Sequence, residues 1–166
     1  MTASELHKVA IALGSNMGDR LKALRAARNK LAEYVNITAV SPVYETQAAY
    51  VTNQPAFLNA VLIGETKLPA LSLLWSIKQW EISLGRQPTF QYGPRLIDID
   101  VIFYDDAVMD LPELILPHPR MHEREFVLRP LADIAPDWQH PKLKTTVAEL
   151  LSKLPEQTAQ KTGEAL

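Results

Sequence analysis

The chain has 166 residues and a formal net charge of −2, and it contains no cysteine. This length is enough for one domain with a proper core, while the slight negative charge provides no basic field that would attract nucleic acid. Without cysteine, disulfides, thiolate catalysis and cysteine-based zinc sites are excluded. The sequence shows neither a signal-peptide pattern nor an apolar run long enough to span a membrane. We therefore expect a cytoplasmic protein with no membrane or nucleic-acid partner.

Apolar periodicity and turn residues predict the elements of the first half of the chain. GSNMGDR, residues 14–20, ends a buried strand and offers Asp19 as a helix cap. This segment lacks the G-x-x-x-x-G-K-[ST] pattern of a phosphate-binding loop, which favours an ordinary strand-to-helix turn. The predicted elements are a strand over 8–13, a helix over 21–35, a strand over 37–45 with Pro42 at an edge or bulge, a loop over 46–55, a strand over 57–65, and a helix that Pro69 opens and Gly85 closes.

The second half of the chain completes the predicted fold. The β-α-β-β-α-β order predicts an α+β fold of the ferredoxin-like type, an antiparallel sheet with helices packed on one side, plus a C-terminal extension. We expect a single domain over residues 1–151 and a flexible polar tail over 152–166, which has little apolar surface to bury. The elements predicted here are a loop over 86–94, a strand containing Asp98 and Asp100, a short strand over 114–116, an apolar piece over 126–131 and a short helix over 147–151.

The segment GPRLIDIDVIFYDD, residues 93–106, places two acidic side chains within an apolar, β-branched strand. Successive side chains of a strand point to opposite faces, so Asp98 and Asp100 share one face while Ile99 and Val101 share the other. Two close carboxylates repel each other, and a divalent cation such as Mg²⁺, which accepts one or two carboxylates, relieves that repulsion. A solvated face on which the aspartates have no function is the alternative that the spacing leaves open.

Further charged residues lie near this strand in the sequence. Glu81 falls on the apolar stripe of the second predicted helix, where it either has a partner or reaches water from the edge of the stripe. Arg95 is the cation nearest to the aspartates in sequence, and Arg86 begins the preceding loop. Residues 116–130, LPHPRMHEREFVLRP, contain three arginines and two histidines, which suit phosphate oxygens. A charged surface turn neutralised by its own glutamates is an equal alternative for that segment.

The carboxylate pair, the arginines and several aromatic residues together resemble the components of phosphoryl transfer involving a nucleotide. Tyr50, Phe57 and Phe126 are the aromatic residues that can stack on a planar ring. The sequence resembles the 6-hydroxymethyl-7,8-dihydropterin pyrophosphokinases of folate biosynthesis. The resemblance covers residues 8–137 and rests on ALGSNMGDR, YET, QPAFLNAV, EISLGR, GPRLIDIDVIFY and LPHPRMHEREFVLRPLADIAP. The combination of GPR-x-x-D-x-D with PHPRMHER is highly specific.

The resemblance implies that the β,γ-diphosphate of ATP is transferred to the hydroxymethyl group of the pterin, with release of AMP. It implies two Mg²⁺ ions held by Asp98 and Asp100, and it makes Arg86 and Arg95 catalytic residues together with these two acids. ATP as co-substrate and 6-hydroxymethyl-7,8-dihydropterin are the implied small-molecule partners of a protein expected to be a monomer. The implied ATP-binding residues are Leu74, Glu81, Arg86, Arg95, Val101, His118 and Arg124, and the implied pterin-binding residues are Thr46, Phe57, Asn59, Tyr92 and Phe126.

This chain departs from the family pattern in the loop before GPR. The family often has arginines there and a tryptophan just before GPR, whereas this chain has Pro88, Gln91 and Tyr92 at those positions. With fewer cations, this lid loop is expected to bind phosphates less strongly. One alternative is therefore a divergent relative that binds pterin or nucleotide with weak or no transfer. An RNA-binding module on a ferredoxin-like sheet is another alternative, against which the acidic balance argues.

Overall fold

The computed structural model describes residues 5–86 and 89–166, and within them it contains a six-stranded antiparallel sheet and a two-stranded sheet. The strands are β1 (His7–Ser15), β2 (Asn36–Val40), β3 (Tyr44–Thr46), β4 (Phe57–Thr66), β5 (Asp98–Tyr104), β6 (Met109–Asp110), β7 (Ile115–Leu116) and β8 (Gln160–Lys161). The helices are α1 (Arg20–Leu31), α2 (Ala70–Ser83), α3 (Glu125–Ile134) and α4 (Val147–Ser152), and a 3-10 turn covers Met121–Glu123. No helix in the described part of the chain is both long and apolar enough to cross a membrane.

The main sheet has the strand order β5-β1-β4-β3-β8, and β2 also pairs with β4. This arrangement confirms the predicted ferredoxin-like α+β fold. The single strand predicted over 37–45 is wrong, because the structure divides it into β2 and β3. The Ser41 hydroxyl accepts a hydrogen bond from the backbone N–H of Val61 at 2.9 Å, which replaces a ladder bond at the break. Pro42, which has no N–H to donate, follows directly.

Apolar residues fill a core on each face of the sheet. The α1/α2 core joins Leu24 and Ile77 to strand residues such as Ile11. The α3/α4 core joins Leu128 to Ile102 and equivalent residues of the opposite face. The prediction of helices on only one side is therefore wrong, because α3 and α4 follow the sheet in sequence and cover the face that α1 and α2 leave open. The central strands β1, β4 and β5 are therefore largely buried on both faces, whereas β2 and β8 are more exposed.

Helix α2 begins at Ala70, so Pro69 is the residue before the helix rather than its first helical residue. Gly85 has a φ of 98°, a left-handed conformation that glycine adopts at little cost and that commonly follows a helix end. The predicted end of the helix is thus confirmed. The short helix predicted over 147–151 is also confirmed, since α4 begins after a Thr146 side chain that accepts a hydrogen bond from the N–H of Glu149.

The sequence predicts a flexible tail over residues 152–166, and its flexibility stays a prediction. In the structure the segment makes specific contacts. Strand β8 pairs with β3, Leu166 packs against the α1/α2 core, and the backbone oxygen of Ala165 accepts a hydrogen bond from Arg25 at 2.9 Å. A polar sequence does not reveal such contacts, because most of them are made by backbone groups.

Candidate active site

An open pocket lies on the sheet face that carries α3, where β1, β4 and β5 meet the first turn of α3. Its wall combines acidic, basic and aromatic side chains with a close backbone approach at Gly14. A Cβ atom at Gly14 would lie 3.1 Å from Oδ1 of Asn59, so any larger residue would crowd the wall. The lining residues include Thr46, Tyr50, Phe57, Asn59, Tyr92, Arg95, Asp98, Asp100, Arg124 and Phe126.

Asp98 and Asp100 lie on one face of β5, as predicted, opposite Gly14 and Ala12 of β1. Ile99, between them, lies in the α1/α2 core on the other face. Burial, and then the negative charge of Asp100, raise the pKa of Asp98 to about 7, although the nearby arginines lower it. Burial, and then the charge of Glu81, raise the pKa of Asp100. Each carboxylate is thus costly to ionise in the absence of a cation.

This donor set fits a magnesium ion. The Asp98 side chain lines the pocket and keeps 38% of its surface exposed, so it is only partly desolvated and an ion can reach it. Among the described residues, no group of three or more histidine, cysteine, aspartate or glutamate side chains forms a metal-binding cluster. Mg²⁺ needs no such cluster, since it usually binds one or two carboxylates and completes its octahedron with water and phosphate oxygens.

Asp98→Asn is expected to raise the melting temperature of the metal-free protein at about pH 8 and to change it little near pH 4. The pKa of Asp98 rises from 3.8 to about 7 on folding. The folded state therefore binds the proton more tightly than the unfolded state does. The free energy of unfolding then falls as the pH rises from 3.8 to about 7. Asparagine cannot ionise and avoids the loss. Thermal unfolding in EDTA across this pH range measures the effect, and a difference that does not grow with pH would contradict it.

Glu81 fixes two groups at the acid pair. It is only 4% exposed, and its Oε2 accepts hydrogen bonds from Nη1 of Arg86 at 2.7 Å and from the N–H of Ile99 at 3.0 Å. Nη1 of Arg86 also lies 3.5 Å from Oδ1 of Asp98. Burial, and then the charge of Asp98, raise the pKa of Glu81, while Arg86 lowers it. The sequence left open whether Glu81 has a partner or reaches water. In the structure Glu81 is buried and has partners.

The other predicted phosphate-binding residues lie around the acid pair at different distances from the pocket. Arg95 and Arg124 line it directly. His118 does not line it, but its Nδ1 accepts a hydrogen bond from the N–H of Arg120 at 3.3 Å. Burial, and then the charges of Arg124 and Arg120, lower the pKa of His118 to about 4. His118 is therefore neutral near pH 7, and its Nε2 carries the proton as a donor.

All five predicted pterin-binding residues line the pocket together. Nδ2 of Asn59 donates a hydrogen bond to Oγ1 of Thr46 at 2.6 Å, which orients the amide between β3 and β4. The structure therefore brings these residues together, while their binding of pterin stays a prediction. Two predicted nucleoside contacts lie elsewhere, because Val101 is buried in the α1/α2 core and Leu74 packs against that core. Pro88 lies outside the described residues.

A cluster that the sequence analysis missed joins three loops at the pocket mouth. This Tyr–Arg cluster consists of Tyr50, Tyr92, Arg120 and Glu123. The tyrosine rings lie 4.5 Å apart, and the Arg120 guanidinium lies 4.2 Å from the Tyr50 ring centre and donates to the Tyr92 hydroxyl at 2.6 Å. Glu123 accepts from both Arg120 and the Tyr50 hydroxyl. The sequence offers little signal for this cluster, because the hydrogen bonds that join its loops connect residues 28 and 73 positions apart and leave no local pattern.

Comparison with known proteins decides the family. A family model described as 7,8-dihydro-6-hydroxymethylpterin-pyrophosphokinase (HPPK) matches residues 10–136. The chain belongs to this family. The family predicted from the sequence is thereby confirmed, and the matched HPPK region contains every predicted site residue.

Individual relatives of this HPPK-family chain differ in length. The folic acid synthesis protein fol1 of Schizosaccharomyces pombe is 40% identical over 157 residues, which cover 93% of this chain but 21% of that protein. A 2-amino-4-hydroxy-6-hydroxymethyldihydropteridine pyrophosphokinase of Aquifex aeolicus is 41% identical and is covered to 88%, with 85% of this chain matched. The chain therefore spans about a fifth of the first curated relatives that it matches, and nearly all of a shorter one.

The fold of this HPPK-family chain also matches solved structures. The Plasmodium falciparum HPPK-DHPS crystal structure with pteroate aligns with a TM-score of 0.74 over 92% of this chain and 43% of that one. The sequence identity in this alignment is 17%, so it supports the fold alone. The α+β architecture with a central antiparallel sheet is thus shared with these structures.

Proposed function

We propose that this chain transfers the β,γ-diphosphate of ATP to 6-hydroxymethyl-7,8-dihydropterin in folate biosynthesis. The observation that carries the proposal is a single pocket lined by a half-buried carboxylate pair, two arginines and several aromatic side chains. In the reaction the hydroxymethyl oxygen of the pterin attacks the β-phosphorus, and the bond from that phosphorus to the α,β-bridging oxygen breaks. AMP leaves with the bridging oxygen, and the hydroxyl proton is released to a base or to water. Membership of the HPPK family supports this assignment.

Asp98 and Asp100 hold the magnesium ions in this proposal. When bound there, Mg²⁺ neutralises the phosphate charge and polarises the phosphorus that is attacked. The two carboxylates supply the negative charge that attracts the ions, and burial together with the neighbouring carboxylates raises the pKa of each acid, so a bound cation favours the ionised pair. The count of two ions rests on the family resemblance, since a single Mg²⁺ can already bind two carboxylates.

Cationic side chains bind the phosphates from both sides of the pocket. Arg95 approaches from the loop before β5, and Arg124 approaches from the start of α3. Arg86, held by Glu81, adds a guanidinium beside Asp98. His118 offers a neutral N–H donor rather than a charge. These groups stabilise charge that develops on the leaving and transferring phosphates, and such preorganised electrostatic contacts commonly provide a large part of catalysis.

The pterin lies between the aromatic side chains in this proposal. Phe57 of β4 and Phe126 of α3 both line the pocket. In the proposal their rings stack on the pterin, and Asn59 offers its amide to the polar edge of the heterocycle. Stacking together with one or two directed hydrogen bonds is an effective way to recognise a flat ring that carries donors and acceptors. The hydroxymethyl group then points towards the acid pair, where the phosphates lie.

Incubation of the full chain with ATP, MgCl₂ and 6-hydroxymethyl-7,8-dihydropterin tests the proposal. We expect AMP and the pterin diphosphate to form in equal amounts, with no ADP. EDTA should stop the reaction, and omission of the pterin should prevent AMP formation. Pterin or nucleotide binding without AMP above the no-enzyme background would instead support the divergent, non-transferring relative.

Arg120→Ala is expected to raise KM for the pterin roughly threefold to tenfold, the scale of one or two exposed contacts. The substitution removes the cation that joins Tyr50 to Tyr92, so the two loops lose their shared partner at the pocket mouth. Arg120→Lys keeps the charge but not the planar fork, and we expect an intermediate value. Steady-state kinetics at saturating ATP measure the effect. An unchanged KM for the pterin would mean that Arg120 is a surface residue with no role in pterin binding.

A further inference from the structure

Helix α3 carries a row of polar residues at four-residue spacing that connect it to neighbouring segments. Glu125, Arg129 and Asp133 share one side of the helix because residues four apart are neighbours on its surface. Nε of Arg129 donates a hydrogen bond to the hydroxyl of Tyr44 at 3.3 Å, and that hydroxyl donates to Asp133. Tyr44 is 2% exposed and belongs to β3. The C-terminal half of α3 is thus hydrogen-bonded to β3, the strand that ends at Thr46.

The first residue of this row binds the 152–166 segment instead of β3. Oε1 of Glu125 accepts hydrogen bonds from the backbone N–H groups of Thr158 at 2.7 Å and Ala159 at 2.6 Å. A carboxylate oxygen that receives two N–H groups makes charge-assisted bonds, which are stronger than neutral ones. The other oxygen, Oε2, is buried without a hydrogen-bond partner among the described residues. Glu125 is therefore committed to this contact rather than to solvent.

The same segment continues onto β3 and closes a ring of contacts. Gln160 pairs with Glu45 and Lys161 pairs with Tyr44 in antiparallel register. The N–H of Thr162 then donates to the backbone oxygen of Val43 at 3.0 Å. The ring runs from α3 through Glu125 to the segment, through β8 to β3, and through Tyr44 back to α3. Three elements thus brace one another at the edge of the sheet.

This ring of contacts adjoins, along the chain, the pocket residues that are proposed to bind pterin. Glu125 is flanked in sequence by Arg124 and Phe126, which both line the pocket. Glu45 precedes Thr46, which receives the hydrogen bond from Asn59. The ring therefore acts on the pocket from two sides, through the start of α3 and through the end of β3. Strand β5, which carries the acid pair, lies at the opposite edge of the sheet.

We propose that residues 158–162 are a positioning element for pterin binding and that Glu125 is the positioning residue through which they act. The element sets the separation between Phe126 on α3 and Thr46 on β3, and so the width of the slot that receives the ring. The inference rests on the proposed function, because it assigns the pterin to this wall. It predicts an effect on pterin binding that is much larger than any effect on ATP.

Three substitutions test the inference. Glu125→Ala removes the acceptor, Ala159→Pro removes one of the two donors, and Glu125→Gln keeps a neutral oxygen that can still accept. For the alanine variant we expect KM for the pterin to rise roughly 5- to 30-fold, the upper part of the range in which a contact network modulates coupling. KM for ATP and kcat should stay within about twofold. The glutamine variant should recover much of the loss, and Glu125→Ala with Ala159→Pro should be no worse than Glu125→Ala alone.

The controls separate this inference from the proposed function and from simple destabilisation. Glu156→Ala, an exposed change in the same segment, should leave both KM values unchanged. Direct titration of pterin by fluorescence gives its Kd without turnover, so the inference is tested even if the wild-type chain forms no AMP and the proposed function fails. An unchanged pterin affinity in Glu125→Ala, or equal loss of pterin and ATP affinity with a lower Tm, would overturn the positioning role.

Discussion

Replacing Asp98 or Asp100 with asparagine is expected to lower kcat by at least about a hundredfold, since metal-assisted charge stabilisation is worth several kcal/mol. Asparagine keeps the size of the side chain and leaves the packing of β5 against β1 intact. It removes the negative charge that, in the proposed function, holds magnesium against the phosphates. The loss should appear in AMP formation at saturating ATP and pterin, and it should persist when the magnesium concentration is raised.

For the Asp98→Asn variant we also expect that stability does not fall, which rules out unfolding as the cause of its lower activity. Because the metal-free carboxylate is costly to ionise, the inactive variant should be at least as stable as the wild type near neutral pH. Asp106→Asn, an exposed acid on the same segment, provides a matched control and should retain full activity. Near-normal turnover in either Asp98→Asn or Asp100→Asn would remove that residue from the metal site and contradict joint binding by the pair.

Glu81→Gln is expected to lower kcat roughly 10- to 100-fold, the scale seen when the partners that orient metal ligands are lost. The Glu81 carboxylate holds Arg86 and the backbone of Ile99 at the acid pair, and it is 4% exposed. An amide can still accept from one N–H, but it offers a donor where Arg86 needs an acceptor. The freed guanidinium is then drawn to Asp98, which lies 3.5 Å away, and competes with the metal.

The same substitution should also cost about 1–3 kcal/mol of stability, because it leaves a partly buried hydrogen-bonding group without its partner. Glu33→Gln, an exposed glutamate of α1's C-terminal flank, is the matched control and should change neither stability nor kcat. Steady-state kinetics and urea unfolding on both variants separate the two effects. If Glu81→Gln lowers stability but leaves kcat intact, Glu81 is a packing residue and Arg86 needs no support from it.

The sequence predicts much of the fold because local patterns dominate most elements. Apolar runs bounded by turn residues indicate β1 and β4, and the alternation of acidic and apolar residues in β5 correctly places Asp98 and Asp100 on one face. Pro130 obscures α3, because a proline inside a helix removes a hydrogen bond and usually marks a break. The structure retains the helix there since Val127, Leu128 and Leu131 are buried against the sheet. Tertiary packing overrides the local signal in that case.

The candidate site divides in the same way. Its acids, arginines and aromatic wall follow from motifs within short segments, so they are visible in the sequence. The contacts that position them are long-range, such as Glu125 with Ala159 and Arg120 with Tyr92. Hydrogen bonds of this kind depend on where loops meet in three dimensions, and neither periodicity nor composition reports that. This is why a polar segment predicted to be a flexible tail contributes contacts behind the pocket.

The central claim is that Asp98 and Asp100 together hold magnesium against the phosphates of ATP. Its most direct test is a crystal structure with α,β-methylene-ATP and Mn²⁺, whose anomalous signal distinguishes a cation from water. We predict at least one anomalous peak about 2.1 Å from an oxygen of each aspartate and from a β- or γ-phosphate oxygen. Ordered phosphates beside two aspartates with no anomalous peak between them would contradict the claim.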